Sequence, residues 1–118
     1  MITIRIKGTP YSKDKNRGRV SGLKEWSKSV IRQTRKVEKV DYPCHLSAEF
    51  ILPQDKFPPN LPYGSDLDNL LKRLFDSLQK TFLKNDSLIV KLTATKRKAK
   101  KRECVGVIIN IVSHNPRS

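Results

Sequence analysis

The chain is short of acid. Against 25 lysines and arginines it sets only 11 aspartates and glutamates, a formal net charge of +14 over 118 residues. Such an imbalance selects for a polyanionic partner, nucleic acid first. Long apolar runs are also missing. Nothing approaches the roughly 18 residues that a membrane-spanning helix needs, and no basic helix has the broad apolar face of an interfacial anchor, so no membrane partner is expected. There are only two cysteines, Cys44 and Cys104. They lack the paired spacing of a zinc or redox motif, and both are expected to be reduced, buried, small apolar residues. The two histidines, His45 and His114, have no ligand partner at useful spacing and read as structural or inert. The opening MITIRIKG has none of the charged, apolar and small-residue blocks of a secretory leader, so a cytoplasmic protein is expected.

What is present fits one α+β domain over residues 1–118. Ile2, Ile4 and Ile6 alternate with Thr3, Arg5 and Lys7 as a half-buried strand that ends at Gly8 and Pro10. A polar, basic loop follows, carrying Lys13, Lys15, Arg17 and Arg19. From Leu23 to about Val40 the positions Leu23, Trp26, Val30, Thr34 and Val37 recur at helical spacing, which makes Trp26 a core residue. Pro43 stops that helix, and CHLSAEFIL alternates as a second strand. A proline-rich loop, in which Phe57 and Tyr63 are candidates for stacking on unpaired bases, leads to a second helix. SLIVKLTAT and ECVGVIINIV then read as strands three and four. The order predicts a mixed sheet of about four strands with two main helices.

The second helix carries the chemistry. On a wheel, Leu67, Leu70, Leu71, Leu74 and Leu78 share the face that packs on the sheet, while Asp68, Asn69, Lys72 and Asp76 form a polar stripe. Asp66 precedes the first turn, where a carboxylate commonly caps free backbone N–H groups. The alternative is that Asp66 and Asp68 aim at one point, joined by Asp86 from beyond the helix. Carboxylates without His or Cys suit a hard cation such as Mg²⁺, with Mn²⁺ as a substitute, and not zinc. Such an ion activates water and neutralises charge on a scissile phosphate, as phosphodiester hydrolysis requires.

The string DLDNLLKRLFDSL followed by KNDSLI resembles the RusA family of Holliday junction resolvases. The resemblance is densest from Ser65 to Ile89 and looser elsewhere. It implies a metal-dependent endodeoxyribonuclease that resolves four-way DNA in recombination and repair, leaves a 5′-phosphate and works as a homodimer. It further implies that Asp66, Asp68 and Asp86 bind metal, that Lys72 is the catalytic lysine, and that Asn69 and Asp76 support them. One departure is plain: where many family members have two consecutive aspartates before the third strand, this chain has Asn85 and Asp86.

For Lys72 an ordinary explanation also exists, an ion-pair ladder with Asp68 and Asp76 four residues to either side, worth a few tenths of a kcal/mol per pair, about 0.2–0.5. Lys96, Arg97, Lys98, Lys100, Lys101 and Arg102 crowd what reads as a hairpin turn between strands three and four. With Arg73 and the four cations of the first loop, they are the candidate phosphate contacts. Two rivals stand beside the resolvase: a non-catalytic basic nucleic-acid binder, and a nuclease for other branched substrates.

Overall fold

Alternation of apolar and polar residues produces the four strands. In a computed structural model that describes residues 1–11, 20–53 and 66–114, they are β1 (Ile2–Lys7), β2 (Cys44–Leu52), β3 (Ile89–Lys98) and β4 (Gly106–Ser113), with helices α1 (Val20–Thr34) and α2 (Leu67–Leu78) and a short 3₁₀ turn at Asp86–Leu88. The α+β class, the four strands and the two helices are those expected. The cations at 13, 15, 17 and 19, and Phe57 and Tyr63, lie outside the described residues. Among those residues no helix is long and apolar enough to cross a membrane.

The sheet order is β1-β4-β2-β3, with β2 parallel to β3 and antiparallel to β4, and β4 antiparallel to β1. Period two then sorts the faces. Ile4 and Ile6, Leu46, Ala48 and Phe50, and Val107, Ile109 and Ile111 are buried with Trp26, Val30, Leu70, Leu74 and Leu78 in one core. The opposite face, which carries Thr3 and Arg5, His45 and Ser47, Thr93 and Thr95, Asn110 and Val112, has no helix among the described residues.

Three expectations need correction. First, α1 ends at Thr34 and not near Val40. The buried Thr34 hydroxyl donates back to the Val30 carbonyl at 2.7 Å and meets the Thr81 hydroxyl at 2.8 Å. Beyond it, Val40 N donates to Phe82 O and its own carbonyl accepts from Lys84 N, at 2.7 and 3.1 Å. That bridge satisfies the Val40 backbone in extended form, so a helix there would gain nothing. Second, Cys44 is buried but Cys104 is exposed.

Third, the basic segment is not a hairpin. β2 lies between β3 and its successor in the chain, so residues 99–105 cross over the end of β2, where Ala99 N donates to Leu52 O at 2.8 Å. The basic stretch is also split, since Lys96, Arg97 and Lys98 belong to β3 and only Lys100, Lys101 and Arg102 to the crossover. Arg97 fastens it. Its Nη1 and Nη2 donate to the two Glu103 oxygens at 2.6 and 2.7 Å, and its Nε lies 3.4 Å from Glu49 Oε1. Lys100 N also donates to Glu103, at 2.9 Å. The crossover ends at Gly106, whose φ of +155° and whose missing Cβ, which would sit 1.9 Å from Ile6 O, leave room for no side chain.

Both features of the crossover can be measured. Gly106→Ala should lose about 1–3 kcal/mol for the backbone conformation alone, and more for the displaced Ile6 carbonyl, as read by urea denaturation; a stability equal to wild type would show that the crossover is not held as described. The Arg97 guanidinium and the Lys100 N–H hold the Glu103 carboxyl down at about 2 against an ordinary 4.5. Because the folded value is depressed, the stabilisation is complete above about 4.5 and is lost as pH falls towards 2. The stability difference between wild type and Glu103→Gln should therefore be constant from pH 7 to about 5 and shrink below it.

Candidate metal and nucleic-acid site

The rotation of α2 about its axis is set by burial. Leu70, Leu74 and Leu78 have no exposed surface and Ser77 only 2%, while Leu67, Leu71 and Phe75 pack against the core from its margin. Ser77 Oγ meets Ser27 Oγ of α1 at 2.9 Å, which pins the rotation with a polar contact inside the helix pair. With that face committed, Asp66, Asp68, Lys72 and Asp76 are exposed and Asn69 and Arg73 are half-buried. The expected stripe is there.

At the start of α2, Asp66 takes the N-cap position with φ −66° and ψ 122°, but its side chain makes no capping hydrogen bond. The ordinary explanation for an acid at this position is therefore not realised. Instead Asp66 Oδ2 accepts from Asn69 Nδ2 at 3.4 Å, and Asp68 Oδ1 accepts from Asn69 N at 3.0 Å. Asn69 is thus a shared partner of the two carboxylates, through its backbone N–H for one and its side-chain amide for the other. Both also sit at the positive end of the helix dipole, which favours negative charge there.

Nothing among the described residues neutralises them. Lys72 forms no ion pair with Asp68 or Asp76, so the ladder along the helix is not built, and neither Asp66 nor Asp76 has a cationic partner among the described residues. Arg73, one residue on, has its Nε buried without a hydrogen-bond acceptor. That N–H is withdrawn from water without an acceptor among the described residues, a state that favours capture of an anionic oxygen.

Asp86 is elsewhere. It opens the 3₁₀ turn after α2, and its backbone N donates to Gln79 Oε1 at 3.2 Å, while Gln79 Nε2 donates to Phe75 O at 3.3 Å. Asp86 therefore stands beside the last turn of α2, whereas Asp66 and Asp68 stand at the first. A 12-residue helix separates those ends by roughly 18 Å at 1.5 Å per residue. Among the described residues no three His, Cys, Asp or Glu side chains are grouped so as to hold a metal ion. The expectation that three carboxylates of one chain meet at a point is corrected: Asp66 and Asp68 share Asn69 as a partner at the start of α2, and Asp86 stands at its other end.

Two residues of this region escaped the sequence reading. Gln79 tethers the Asp86 backbone to α2. Asn85, which reads as a lost carboxylate, accepts from Ser87 N at 2.9 Å through its side chain and so caps the turn that presents Asp86. An Asx residue two before the N–H it binds is a recognisable turn signal, here hidden by attention to charge. Among the cations, Lys98, Lys100, Lys101 and Arg102 are exposed around the crossover. Arg97, expected to touch DNA, has its donors engaged by Glu103 and Glu49 and is instead a brace for that segment.

The chain matches the family model described as Endodeoxyribonuclease RusA over residues 6–112. It is also 34% identical over 82 residues to the crossover junction endodeoxyribonuclease RusA of Aquifex aeolicus (strain VF5). That alignment takes in 69% of this chain and 58% of the relative, so the chain spans little more than half of the relative's length. The family match runs from the end of β1 almost to the end of β4 and takes in both helices, Asp66, Asp68, Lys72 and Asp86. The chain belongs to the RusA endodeoxyribonuclease family.

Proposed function

We propose that this chain is a Mg²⁺-dependent endodeoxyribonuclease that cuts branched DNA, four-way Holliday junctions foremost, by hydrolysing phosphodiester bonds. The observation that carries the reading is the start of α2, where two carboxylates each hydrogen-bond Asn69 and have no cationic partner among the described residues, in a chain of net charge +14. Elsewhere a basic surface suffices to hold nucleic acid; an acidic notch in it costs binding energy unless a cation occupies it.

The donors suit the ion. Asp66 and Asp68 offer hard oxygens, and Mg²⁺ characteristically uses one or two carboxylates with substrate phosphates completing the shell, so the pair is enough to hold it. When bound, the ion supplies charge neutralisation and activation of water at the scissile phosphate. Asn69, hydrogen-bonded to both carboxylates, orients them. Lys72, on the same exposed stripe and without a carboxylate partner among the described residues, would steady negative charge that develops on the phosphoryl oxygens. Lys98, Lys100, Lys101 and Arg102, with Arg73, bind the DNA backbone, and Asp76 tempers the local field of these cations. Asp86, at the other end of α2, is not part of this pair; the metal-binding role that family resemblance implies for it is a separate assignment, tested by its own substitution. A junction needs two symmetric cuts, and a C₂ homodimer supplies two equivalent sites.

The test is cleavage of a labelled four-way junction and of a matched linear duplex, with Mg²⁺ or with chelator. Wild type should cut the junction only with the metal. Asp68→Asn should cut at least about 100-fold more slowly while binding the junction within a few-fold of wild type. A wild-type protein that binds but never cuts would make this chain an architectural binder, and equal cutting of the duplex would move its substrate. Replacing Lys98, Lys100 and Lys101 together with alanine should flatten the log-log dependence of junction affinity on salt by about 0.9 for each phosphate that is no longer neutralised; an unchanged slope would remove the crossover from the interface.

A further inference from the structure

We propose that His45 and His114 form a second metal site, a two-imidazole chelate for a transition-metal dication of the Ni²⁺, Cu²⁺ or Zn²⁺ class, on the face of the sheet opposite the core. They are the chain's two histidines, and they meet although 69 residues separate them. The pairing of β2 with β4 sets His45 opposite Val112, and His114 N donates to Pro43 O at 2.9 Å just past the end of β4. The side chains at 45 and 114 thus project on one face as diagonal neighbours. His45 Nε2 and His114 Nδ1 are 2.9 Å apart, with ring centroids at 5.0 Å and ring planes at 48°.

That contact is a hydrogen bond when one ring carries the intervening proton. It is also the spacing of two ligands on one ion. At metal–nitrogen lengths of about 2.0–2.1 Å, two nitrogens at right angles around the metal lie about 2.9 Å apart, and two at the tetrahedral angle about 3.4 Å. Exchange of the shared proton for a metal therefore asks for rotation of the rings and no movement of the strands. Both rings are half-buried, which leaves the remaining coordination positions open to water.

The surroundings decide which ion. Lys91 lines the same shallow depression as His45, together with Ser47, Thr93 and Asn110, and among the described residues no carboxylate lines it. A cation held by charge alone, such as Mg²⁺, is repelled from this spot. Ions whose affinity comes from nitrogen ligation are not excluded, because imidazole is their preferred donor. The chain would thus carry two sites of opposite chemistry: hard oxygens at the start of α2 and borderline nitrogens here.

The experiment uses untagged protein with Cys104→Ser, which removes the exposed thiol as a competing ligand. Calorimetric titration and thermal unfolding are run with NiCl₂, ZnCl₂ and MgCl₂. Ni²⁺ should bind one per chain and raise the Tm by about 5 °C or more at saturation, and Mg²⁺ should do neither at this site. His114→Ala, a change at the end of the sheet that leaves the core intact, should abolish Ni²⁺ binding and the Tm shift, and Cu²⁺ bound to the parent should show hyperfine coupling to two imidazole nitrogens. Asp68→Asn should bind Ni²⁺ as the parent does, even if the nuclease reading fails. Equal Ni²⁺ binding by His114→Ala, absence of binding by the parent, or its loss in Asp68→Asn would each overturn the proposal.

Discussion

Burial of the leucine face of α2 is the constraint on which the rest of the site depends. Leu70, Leu74 and Leu78, fully withdrawn from water, each contribute about 1.5–3 kcal/mol by burial, several times what any exposed ion pair contributes. A rotation of α2 that paired its acids with nearby lysines would have to expose those leucines, so packing wins and electrostatics follows. The result is a pair of carboxylates standing unneutralised among the described residues of a strongly basic chain. The Ser27–Ser77 contact holds the same rotation from the side of α1, and Thr34–Thr81 ties the segment just after α2 to the end of α1.

Much of this was legible because it is local. The wheel of residues 67–78 separates apolar from polar positions without reference to any other element, and the burial of Leu70, Leu74 and Leu78 agrees with it. The strands announce themselves by alternation, and Trp26 by its place on the apolar face of α1. What failed was set by tertiary partners. Helical spacing in α1 continues to Val37, but backbone bonds between Val40 and residues 82 and 84 end the helix early. The short basic stretch before β4 resembles a hairpin turn, yet strand order is a property of the whole sheet, and β2 occupies the position a hairpin partner would need. Likewise nothing near His45 in sequence points to His114.

Charge behaves differently in its two settings. Around the crossover, Arg97 is bound on two sides by Glu103 and Glu49, so a residue that looks like a phosphate contact serves to shape the segment that carries the exposed cations. At α2 the reverse holds: Asp66 occupies an N-cap position yet leaves its side chain unspent on the cap. Asn85 and Gln79 show a third use of polarity, in which uncharged amides fix the turn that presents Asp86. The charge balance of the sequence gives the partner class, and only partner geometry says which charges remain available for it.

In the proposed site Asp66 and Asp68 together hold the divalent cation. Mn²⁺ reports on this directly, since as a paramagnetic substitute for Mg²⁺ it broadens the amide signals of nearby residues in an NMR spectrum. Substoichiometric Mn²⁺ should broaden residues 66–72 first, and the double variant Asp66→Asn with Asp68→Asn should lose that broadening while its remaining spectrum is unchanged. Broadening centred elsewhere, or persisting at the start of α2 in the double variant, would contradict the account.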